Sequence, residues 1–394
     1  MIQILQEKDC CGCGACSTAC PKNCITMEEG SLGHLFPSID YDKCVNCGKC
    51  ERVCPMLSQH NNENFTQKAF AAYARNSDVR FEGSSGGMFG VFARKLMERG
   101  YVVYGAAFDE RLKLKCTLAE TKDKLHSMCK SKYLQSELTG KYIEIESRLK
   151  KGDKVLFVST PCQVCALKQF LSKEYKNLTT IDFFCHGVPS QKFFDQCIEL
   201  DRKRLGGDIK HYEFRTKKKR GSTPHYFTEV IKGRNGDKTI SDLYFESPFY
   251  AVFQKYINLR ESCYHCRFAG QNRVSDITIG DFHDIDKYVR GINRFDGVST
   301  VIVNTEKGNE LWENCHDQIN VITMELSQLI LDDIRLNTGT ERPSRRDEFL
   351  KDYQEMTMEN LIRKWADPSQ YWKQRIYYSM PSFLRKLIKR FMGV

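Results

Sequence analysis

Eight cysteines near the start of the chain fall into two runs with identical spacing, and this repeat constrains the fold more than any other feature. The first run is Cys10-x2-Cys13-x2-Cys16-x3-Cys20-Pro21, and the second, 34 residues later, is Cys44-x2-Cys47-x2-Cys50-x3-Cys54-Pro55. Three thiolates two residues apart wrap around three corners of an iron–sulfur cube. The fourth, which precedes a proline, ligates the cube of the other run. The repeat therefore predicts a pair of [4Fe-4S] clusters.

The predicted ligands form two sites. Site I consists of Cys10, Cys13, Cys16 and Cys54, and site II of Cys44, Cys47, Cys50 and Cys20. Zinc is the alternative because it also binds Cys-x2-Cys pairs, but two complete runs that each end in Cys-Pro fit zinc poorly. Cys11 and Cys24 fall outside the pattern, and we expect packed or spare thiols there. Residues 1–57 resemble a bacterial-type two-cluster ferredoxin domain.

The cysteine content of the whole chain supports redox chemistry. There are 19 cysteines in 394 residues. The first residues have no basic stretch followed by an apolar region, so no secretory signal is predicted. Cytosolic thiols stay reduced, which favours metal ligation over disulfides. No apolar run reaches the ~18 residues that a membrane span requires. We therefore expect a soluble cytoplasmic protein.

Composition and charge exclude several classes. Hydrophobic residues make up 41% and charged residues 28% of the chain, which excludes collagen-like, low-complexity and wholly disordered proteins. The net charge is +10, but residues 370–394 alone contain six Lys or Arg and no Asp or Glu. Because more than half of the excess is local, no nucleic-acid partner is predicted.

The rest of the chain reads as an α/β body. A polar stretch over 58–68 predicts a linker, and a short apolar strand over 69–74 follows it. Gly83-Ser84-Ser85-Gly86-Gly87 then precedes an amphipathic stretch that predicts a helix from Met88, and Tyr101–Phe108 predicts a buried strand. A Gly/Ser turn that opens a helix favours a phosphate or another anion. The alternative is routine helix capping by serine.

Strand–turn–helix patterns recur farther along the chain. Strands are predicted at 155–159, 181–184, 276–280 and 299–303, and a helix at 163–171. In α/β sheets, ligands bind beyond the carboxyl ends of the strands. Cys162 and Cys185 both follow such ends, which makes them candidate site residues.

A further Cys-x2-Cys pair, Cys263 and Cys266, completes the set. Together with Cys162 and Cys185 it supplies four thiolates, enough for a third cluster, which we call site III. A zinc site, a redox dithiol and reduced buried cysteines are the alternatives. His186 and His265 lie inside these motifs, and we expect turn or supporting roles for both. Core positions are expected for the cysteines without ligand spacing: Cys116, Cys129, Cys165, Cys197 and Cys315.

These motifs carry a family resemblance. The chain resembles the beta subunit family of coenzyme F420 hydrogenases and dehydrogenases, in the version with a fused ferredoxin domain. The matching stretches are GSSGGMF (83–89), KSKYLQS (130–136), VSTPCQVCALK (158–168), IDFFCHGVPS (181–190), ESCYHCRFA (261–269) and SDITIGDF (275–282).

The resemblance implies an FAD-binding oxidoreductase body with a third [4Fe-4S] cluster on Cys162, Cys185, Cys263 and Cys266. It implies that Ser84, Ser85, Gly86 and Gly87 approach the flavin or its phosphates, and that Lys132, Tyr133, Thr160 and Pro161 line its pocket. Candidate proton donors near the substrate are Lys132, Asp281 and His283. The family usually has Trp-Gly where His283 and Asp284 stand here, and Gly-Thr where Ser159 and Thr160 stand. The sequence therefore does not establish coenzyme F420 as the substrate.

The function that these features predict is electron transfer between [4Fe-4S] clusters, FAD and a two-electron small organic substrate. The first alternative is a non-catalytic electron-transfer subunit of a larger redox complex, and the second is an iron–sulfur or zinc scaffold without flavin. A partner redox subunit or ferredoxin is compatible with the first two functions.

Four further segments complete the predicted organisation. The body divides into 69–175, a flavin-binding region, and 176–335, a region that carries the cluster and substrate side. Residues 336–394 are predicted to form a helical basic tail, whose end, 381–394, reads as a basic amphipathic helix. This helix either lies on the inner membrane surface or packs on the body or on a partner. The basic run RTKKKR (215–220) is predicted to be a solvated loop, the alternative being an edge that attracts an acidic substrate.

Overall fold

The structure is a computed structural model that describes residues 6–58, 65–218, 226–232, 236–292, 294–380 and 384. Its strands are β1 (Ile25–Glu29), β2 (Leu35–Ile39), β3 (Lys68–Ala74), β4 (Tyr101–Phe108), β5 (Leu114–Ala119), β6 (Lys154–Val158), β7 (Leu178–Phe183), β8 (Ile209–Thr216), β9 (Tyr226–Ile231), β10 (Lys238–Leu243), β11 (Ile277–Asp281), β12 (Ser299–Val303) and β13 (Ile319–Met324).

The α-helices are α1 (Ala15–Ala19), α2 (Lys49–Arg52), α3 (Ser77–Glu82), α4 (Met88–Glu98), α5 (Lys122–Met128), α6 (Lys141–Lys151), α7 (Pro161–Leu171), α8 (Gln191–Leu205), α9 (Pro248–Phe253), α10 (Glu261–Tyr264), α11 (Ile285–Tyr288), α12 (Glu306–Asn314), α13 (Leu326–Asp332), α14 (Arg346–Glu355), α15 (Met358–Ala366) and α16 (Trp372–Ser379).

An eight-stranded mixed sheet forms the centre of the body, in the order β13-β3-β12-β11-β7-β6-β4-β5. Its four inner strands β11, β7, β6 and β4 are parallel, and the flanking pairs are antiparallel. Strand β12 is buried along its whole length, as its continuous apolar and β-branched sequence predicts for a covered strand. Both predicted body regions contribute strands to this sheet. The carboxyl ends of its parallel strands meet at one edge, where a ligand site is expected.

A smaller antiparallel sheet, β10-β9-β8, packs with helices from the end of the chain. Its core is aromatic, and the ring of Phe194 contacts those of Tyr212 and Phe249, with centroids 5.3 and 5.0 Å apart. Phe349 of α14 and Trp365 of α15 are buried in the same core. The part of the predicted tail up to residue 366 is therefore part of the packed body.

The N-terminal domain is held against the body. The hydroxyl of Tyr142, on α6, donates to the Cys13 carbonyl at 2.8 Å. On the opposite side, the hydroxyl of Ser190 donates to the Leu32 carbonyl, and a ring nitrogen of His34 lies 3.0 Å from the Val188 carbonyl oxygen. These contacts keep the two cysteine runs close to the sheet edge.

The predicted strands at 69–74, 101–108, 155–159, 181–184, 276–280 and 299–303 are confirmed within two or three residues at each end. The helix predicted over 163–171 instead begins at Pro161, so Cys162 lies in its first turn rather than in a loop before it. The physical reason is that the fixed φ of proline suits the first helical position, and Thr160 provides the extended residue before it.

Some predictions fall outside the described residues. These include most of the linker, 59–64, and the amphipathic segment 381–394 except Leu384. Among the residues that the structure describes, no helix combines the length and apolar character needed to cross a bilayer.

Candidate electron-transfer site

Site I is built by the first cysteine run and the last cysteine of the second. Gly14 and Gly48 start the two short helices α1 and α2 with φ of +74° and +70°, so the repeat in sequence is also a repeat in backbone. Glycine adopts this left-handed conformation without steric cost, which allows the tight cysteine loop. Burial raises the pKa of the Cys16 thiol, and the neighbouring sulfurs of Cys13, Cys10 and Cys54 raise it further. The four predicted ligands of site I therefore lie together.

Site II lies nearer the surface. A cavity of about 20 Å³ is lined by Cys20, Cys44, Cys47 and Cys50, the four predicted ligands, and also by Cys24. Cys47 is exposed, whereas Cys10, Cys13, Cys16 and Cys54 of site I are buried. The sulfurs of Cys20 and Cys24 are 3.3 Å apart, so Cys24 lies beside a predicted ligand and not in an unrelated part of the core.

Site III gathers the four predicted body cysteines. Cys162, Cys185, Cys263 and Cys266 line one cavity of about 40 Å³. Cys162 lies in the first turn of α7, Cys185 two residues after β7, Cys263 in α10 and Cys266 two residues after α10. Gly187 has a φ of +112°, and a Cβ there would lie 2.9 Å from the Cβ of Cys263, so the chain needs glycine to bring Cys185 and Cys263 together. Within the described residues, no group of three or more His, Cys, Asp or Glu side chains is arranged for a single metal ion.

Cys11 connects sites I and III. Its thiol hydrogen-bonds with the sulfurs of Cys13 and Cys162, and it lines the site III cavity. The hydrogen bond from Cys11, together with one from Thr160, outweighs burial and lowers the pKa of Cys162 to about 7. Sequence reasoning missed this position because Cys11 has no ligand spacing. Its one signal was that it directly follows a predicted ligand.

A larger cavity of about 230 Å³ lies beside site III, at the carboxyl ends of the parallel strands. The two cavities share the lining residues Thr160, Cys185, Gly187 and Val188. Of the predicted flavin residues, Ser84, Ser85, Gly87, Lys132, Tyr133 and Thr160 line the larger cavity. Pro161 lines the site III cavity instead, and Gly86 is buried against Ala72 and Ser299 and is not part of the lining. We call the larger space the body cavity.

The Gly/Ser turn forms one wall of the body cavity. Gly87, with a φ of +83°, precedes the 11-residue helix α4. A Cβ on Gly86 would lie 2.4 Å from the Ala72 carbonyl oxygen, so the turn lies directly on strand β3. The hydroxyl of Ser84 accepts a hydrogen bond from the Ser131 N–H at 2.6 Å. The amino end of α4 therefore faces the cavity and favours an anion there.

Two lysines lie near this wall, Lys132 half-buried and Lys217 buried. The ammonium of Lys132 donates to the Cys129 carbonyl at 2.7 Å, and burial lowers the pKa of Lys132 to about 8. The ammonium of Lys217 donates to the carbonyls of Ser85, Arg80 and Asp296, at 2.8, 2.9 and 3.1 Å. Burial, followed by the nearby charges of Arg215 and Arg80, lowers the pKa of Lys217 to about 7. Lys217 therefore holds the Gly/Ser turn in place. The prediction of a solvated loop for the basic run is wrong at Arg215 and Thr216, which belong to β8, and at the buried Lys217.

Asp281 forms an ion pair with Arg215 inside the body cavity. Burial opposes its ionisation, but the charges of Arg215 and His283 together with hydrogen bonds from Arg215 and Ser85 outweigh burial and hold the pKa of Asp281 well below its usual range. Asp281 is thus a carboxylate at neutral pH, which does not suit a proton donor. The Nε of Arg215 is buried and has no hydrogen-bond partner, and its Nη2 donates to the Ser84 carbonyl at 3.1 Å. That unpartnered donor and the α4 amino end suit an anionic group.

His186 lines the body cavity, whereas His283 and His265 are exposed. His283 is exposed and is not part of the cavity lining, and its backbone N–H donates to Asp332 at 3.0 Å. His186 lines the cavity and stacks on Tyr256 with ring centroids 5.4 Å apart. Burial and the neighbouring Arg335 charge lower the pKa of His186 to about 3, so the ring is neutral. His265 is exposed.

Comparison with family models assigns the chain. Residues 69–140 match the model for the coenzyme F420 hydrogenase/dehydrogenase beta subunit N-terminus, and residues 152–328 match the model for its C-terminus. The chain belongs to this beta subunit family. Residues 9–57 and 36–85 of the chain also match two models of a 4Fe-4S dicluster domain. The resemblance drawn from the motifs is confirmed, and the dicluster match supports [4Fe-4S] clusters in the N-terminal domain.

Two individual proteins are also similar to the chain. A coenzyme F420-dependent sulfite reductase from Methanocaldococcus jannaschii is 27% identical over 89% of the chain and 53% of that protein. The chain therefore spans about half the length of this curated relative. A chain from the F420-reducing [NiFe] hydrogenase complex of Methanosarcina barkeri is 15% identical. That match covers 73% of this chain and 93% of the other, with a TM-score of 0.44.

Proposed function

We propose that the chain is an iron–sulfur flavoprotein oxidoreductase in which single electrons move between site II, site I, site III and FAD in the body cavity. The observation that carries this proposal is the continuity of the sites. Cys11 hydrogen-bonds with a cysteine of site I and one of site III, and site III shares four lining residues with the body cavity. Reversed flow uses the same path.

The residues that face the body cavity suit a flavin dinucleotide. The α4 amino end and the unpartnered Nε of Arg215 provide donors for an anionic phosphate. Tyr133 and Phe253 form a stacked pair in the wall, with centroids 4.3 Å apart, which suits an aromatic ring system. A bound flavin supplies the exchange between one-electron and two-electron chemistry.

The chain's own residues have separate roles in this proposal. Lys132 is the proton-bearing group because its pKa of about 8 lies close to neutral pH. Asp281 orients Arg215, and Lys217 holds the Ser85 carbonyl in place. The substrate is a small organic two-electron donor or acceptor, such as coenzyme F420 or a molecule of similar redox chemistry.

Anaerobic purification with iron, sulfide and FAD quantitation tests the proposal. Three clusters give about twelve irons per chain and two give about eight, at four per cubane. We expect about twelve irons and one FAD in the natural protein, and about eight irons in Cys263→Ala. Cys197→Ala is the matched control because Cys197 is a buried cysteine of the aromatic core that lines neither the site III cavity nor the body cavity. Equal iron content in these two variants, or absence of flavin, would contradict the proposal.

An electron-transfer subunit without its own substrate is the second candidate, and the surface around site II favours it. Tyr41 and Val45 are 64% and 57% exposed, and they flank Cys44 next to the exposed Cys47. Such a surface suits a redox partner or a ferredoxin. Turnover of a small acceptor by the isolated chain supports the enzyme. Turnover that requires an added partner protein supports the subunit.

We also propose that the end of the chain contacts an anionic membrane surface from the cytoplasmic side. On α16, Trp372 and Ile376 lie one turn apart and are 58% and 48% exposed. They precede the basic amphipathic segment 381–394. Removal of residues 381–394 is expected to abolish sedimentation with phosphatidylserine vesicles. Unchanged sedimentation would contradict this proposal and favour packing on a protein.

A further inference from the structure

Arg260 lies where the N-terminal domain meets the body, with only 1% of its surface exposed. Arg260 stands three residues before Cys263, and its backbone N–H donates to the Val188 carbonyl at 2.9 Å. The guanidinium reaches into the N-terminal domain, where Nη1 donates to the Cys10 carbonyl at 3.3 Å and Nη2 to the Leu35 carbonyl at 2.9 Å. The side chain therefore spans the junction between sites I and III.

The charge of this guanidinium has no carboxylate partner among the described residues. Its hydrogen-bond acceptors are backbone carbonyls and the Oε1 of Gln135, at 3.1 Å, all of them neutral. The ring of Phe36 lies 4.6 Å from the guanidinium carbon. A Cβ on Gly12 would lie 2.2 Å from Nη2, so the cysteine loop is shaped closely around the cation. A buried cation is costly without a counter-charge.

The Arg260 charge lowers the cost of ionising cysteines of two sites. The Arg260 charge acts on Cys10 and Cys13 of site I and on Cys162 and Cys263 of site III. At site II, the thiols of Cys20 and Cys44 interact instead with the thiol of Cys24. Arg260 thus faces two of the three predicted clusters.

Cluster chemistry gives this placement a consequence. Cysteine binds metal as thiolate, so a cubane with four cysteine ligands is an anion, and one added electron makes it more negative. Its reduction potential depends on net charge, hydrogen bonds and solvent exposure. A fixed cation in a buried setting stabilises the reduced form more than the oxidised form. The potential therefore rises when such a cation is present.

We propose that Arg260 is the shared counter-charge of the clusters at sites I and III and raises the reduction potentials of both, while it leaves site II unaffected. This inference rests on the proposed function because it requires a cluster at site III. It makes site I the neighbour of the body cluster and site II the outer station of the path.

The test is a reductive titration of the full chain with dithionite, in which each cluster takes up one electron. Electron paramagnetic resonance monitors the titration and gives the reduction potential of each site. The signals are assigned with single-site variants of Cys13, Cys47 and Cys263. In Arg260→Gln we expect the equilibrium constant for reduction of sites I and III to fall at least tenfold. For a one-electron couple this lowers each reduction potential by about 59 mV. Site II is the internal control and stays unchanged. Arg260→Lys keeps the charge and retains most of both potentials.

Two further variants separate charge from structure. Phe36→Glu leaves Arg260 in place but adds a carboxylate beside it, so both potentials are again expected to fall, even if Arg260→Gln does not fold. Arg342→Gln is the matched control because Arg342 is already paired with Glu261 and Asp347, and no shift is expected.

The outcomes are distinct. Unchanged site I and site III potentials with about twelve irons bound would overturn the role of Arg260 and leave the proposed function intact. An equal shift at all three sites would overturn it too, because that indicates a general change. A natural protein with about eight irons would remove site III, and with it the proposed path.

Discussion

Lys132, in the wall of the body cavity, makes the proposed chemistry there sensitive to pH. Burial lowers the pKa of Lys132 to about 8, so its charge is lost as pH rises through that value. A group that must be protonated gives a rate that falls about tenfold per pH unit above its pKa. We expect flavin reduction to decline above pH 8 in the natural protein and to be slow and without this decline in Lys132→Met.

The measurement is the pH profile of flavin reduction, followed by stopped-flow absorbance. Lys124→Met, a change at an exposed lysine of α5, is the matched control and is expected to keep the natural profile. A break near pH 8 that persists in Lys132→Met would assign the ionisation to another group.

The residue scale also includes a steric prediction at Gly86. An alanine Cβ there would lie 2.4 Å from the Ala72 carbonyl oxygen and 2.8 Å from the Ser299 backbone nitrogen, which are rigid groups of the sheet. Overpacking of this kind costs about 1–3 kcal/mol. Gly86→Ala is therefore expected to lower the free energy of unfolding by this amount in urea denaturation.

Gly90→Ala provides the comparison for Gly86→Ala. Gly90 lies in α4, four residues after Gly86, and the nearest contact of a Cβ there, at 2.7 Å, is the flexible end of Arg94. A loss of stability equal to that of Gly86→Ala would show that contact with β3 is not the cause.

Two carboxyl groups are buried between helix α8 and strand β9. Burial, followed by the charge of Asp201, raises the pKa of Glu229 to about 9, and burial raises that of Asp201 to about 6. Because the folded state holds a proton that the unfolded state releases near pH 4.5, stability is lost as pH rises from there towards 9.

We expect the free energy of unfolding to fall between pH 5 and 9, at most about 1.4 kcal/mol per pH unit for one group. Glu229→Gln is expected to flatten this dependence. The exposed Glu174→Gln is the control and should follow the natural protein. Urea denaturation at several pH values measures both, and identical slopes in all three proteins would contradict the prediction.

At the scale of elements, the sequence predicted the parts with local patterns. The cysteine spacing, the Gly/Ser turn before α4 and the apolar strands β4 and β12 all follow from neighbouring residues. It did not predict β13, which pairs with β3 although some 245 residues separate them in the chain, as in Ile319 opposite Ala74. Strand pairs that distant depend on tertiary packing, which a local pattern does not encode.

The site shows the same limit. The four cysteines predicted for site III, which do line one cavity, were grouped by combining motifs that end at one sheet edge, but Arg260 and Gln135 carry no motif that would single them out. Their role comes from reaching the N-terminal domain, where Gln135 donates to the Cys11 carbonyl at 2.7 Å. Contacts between two domains are set by the docking of complete surfaces.

On the scale of the whole molecule, iron is expected to hold the two domains together. Site I lies against the body, and its buried cysteines share a core with Tyr142 and Val164 of α6 and α7. A group that binds only the folded state stabilises it by mass action. Chelation of iron under anaerobic conditions is therefore expected to lower the Tm by several degrees, as measured by calorimetry.

The contribution of site I is isolated by comparing Cys13→Ala with Cys47→Ala. The first is expected to lower Tm more, because Cys13 is buried at the junction and Cys47 faces solvent. A larger effect of Cys47→Ala would place the stabilising contact elsewhere.

The exposure of Cys47 gives oxidative damage a direction. Oxidation of sulfur ligands follows their accessibility, so dioxygen is expected to attack a cluster at site II, where Cys47 is exposed, before one at the buried site I. A brief exposure to air would then leave a molecule that still stores reducing equivalents at its buried sites but can no longer exchange electrons through the exposed one.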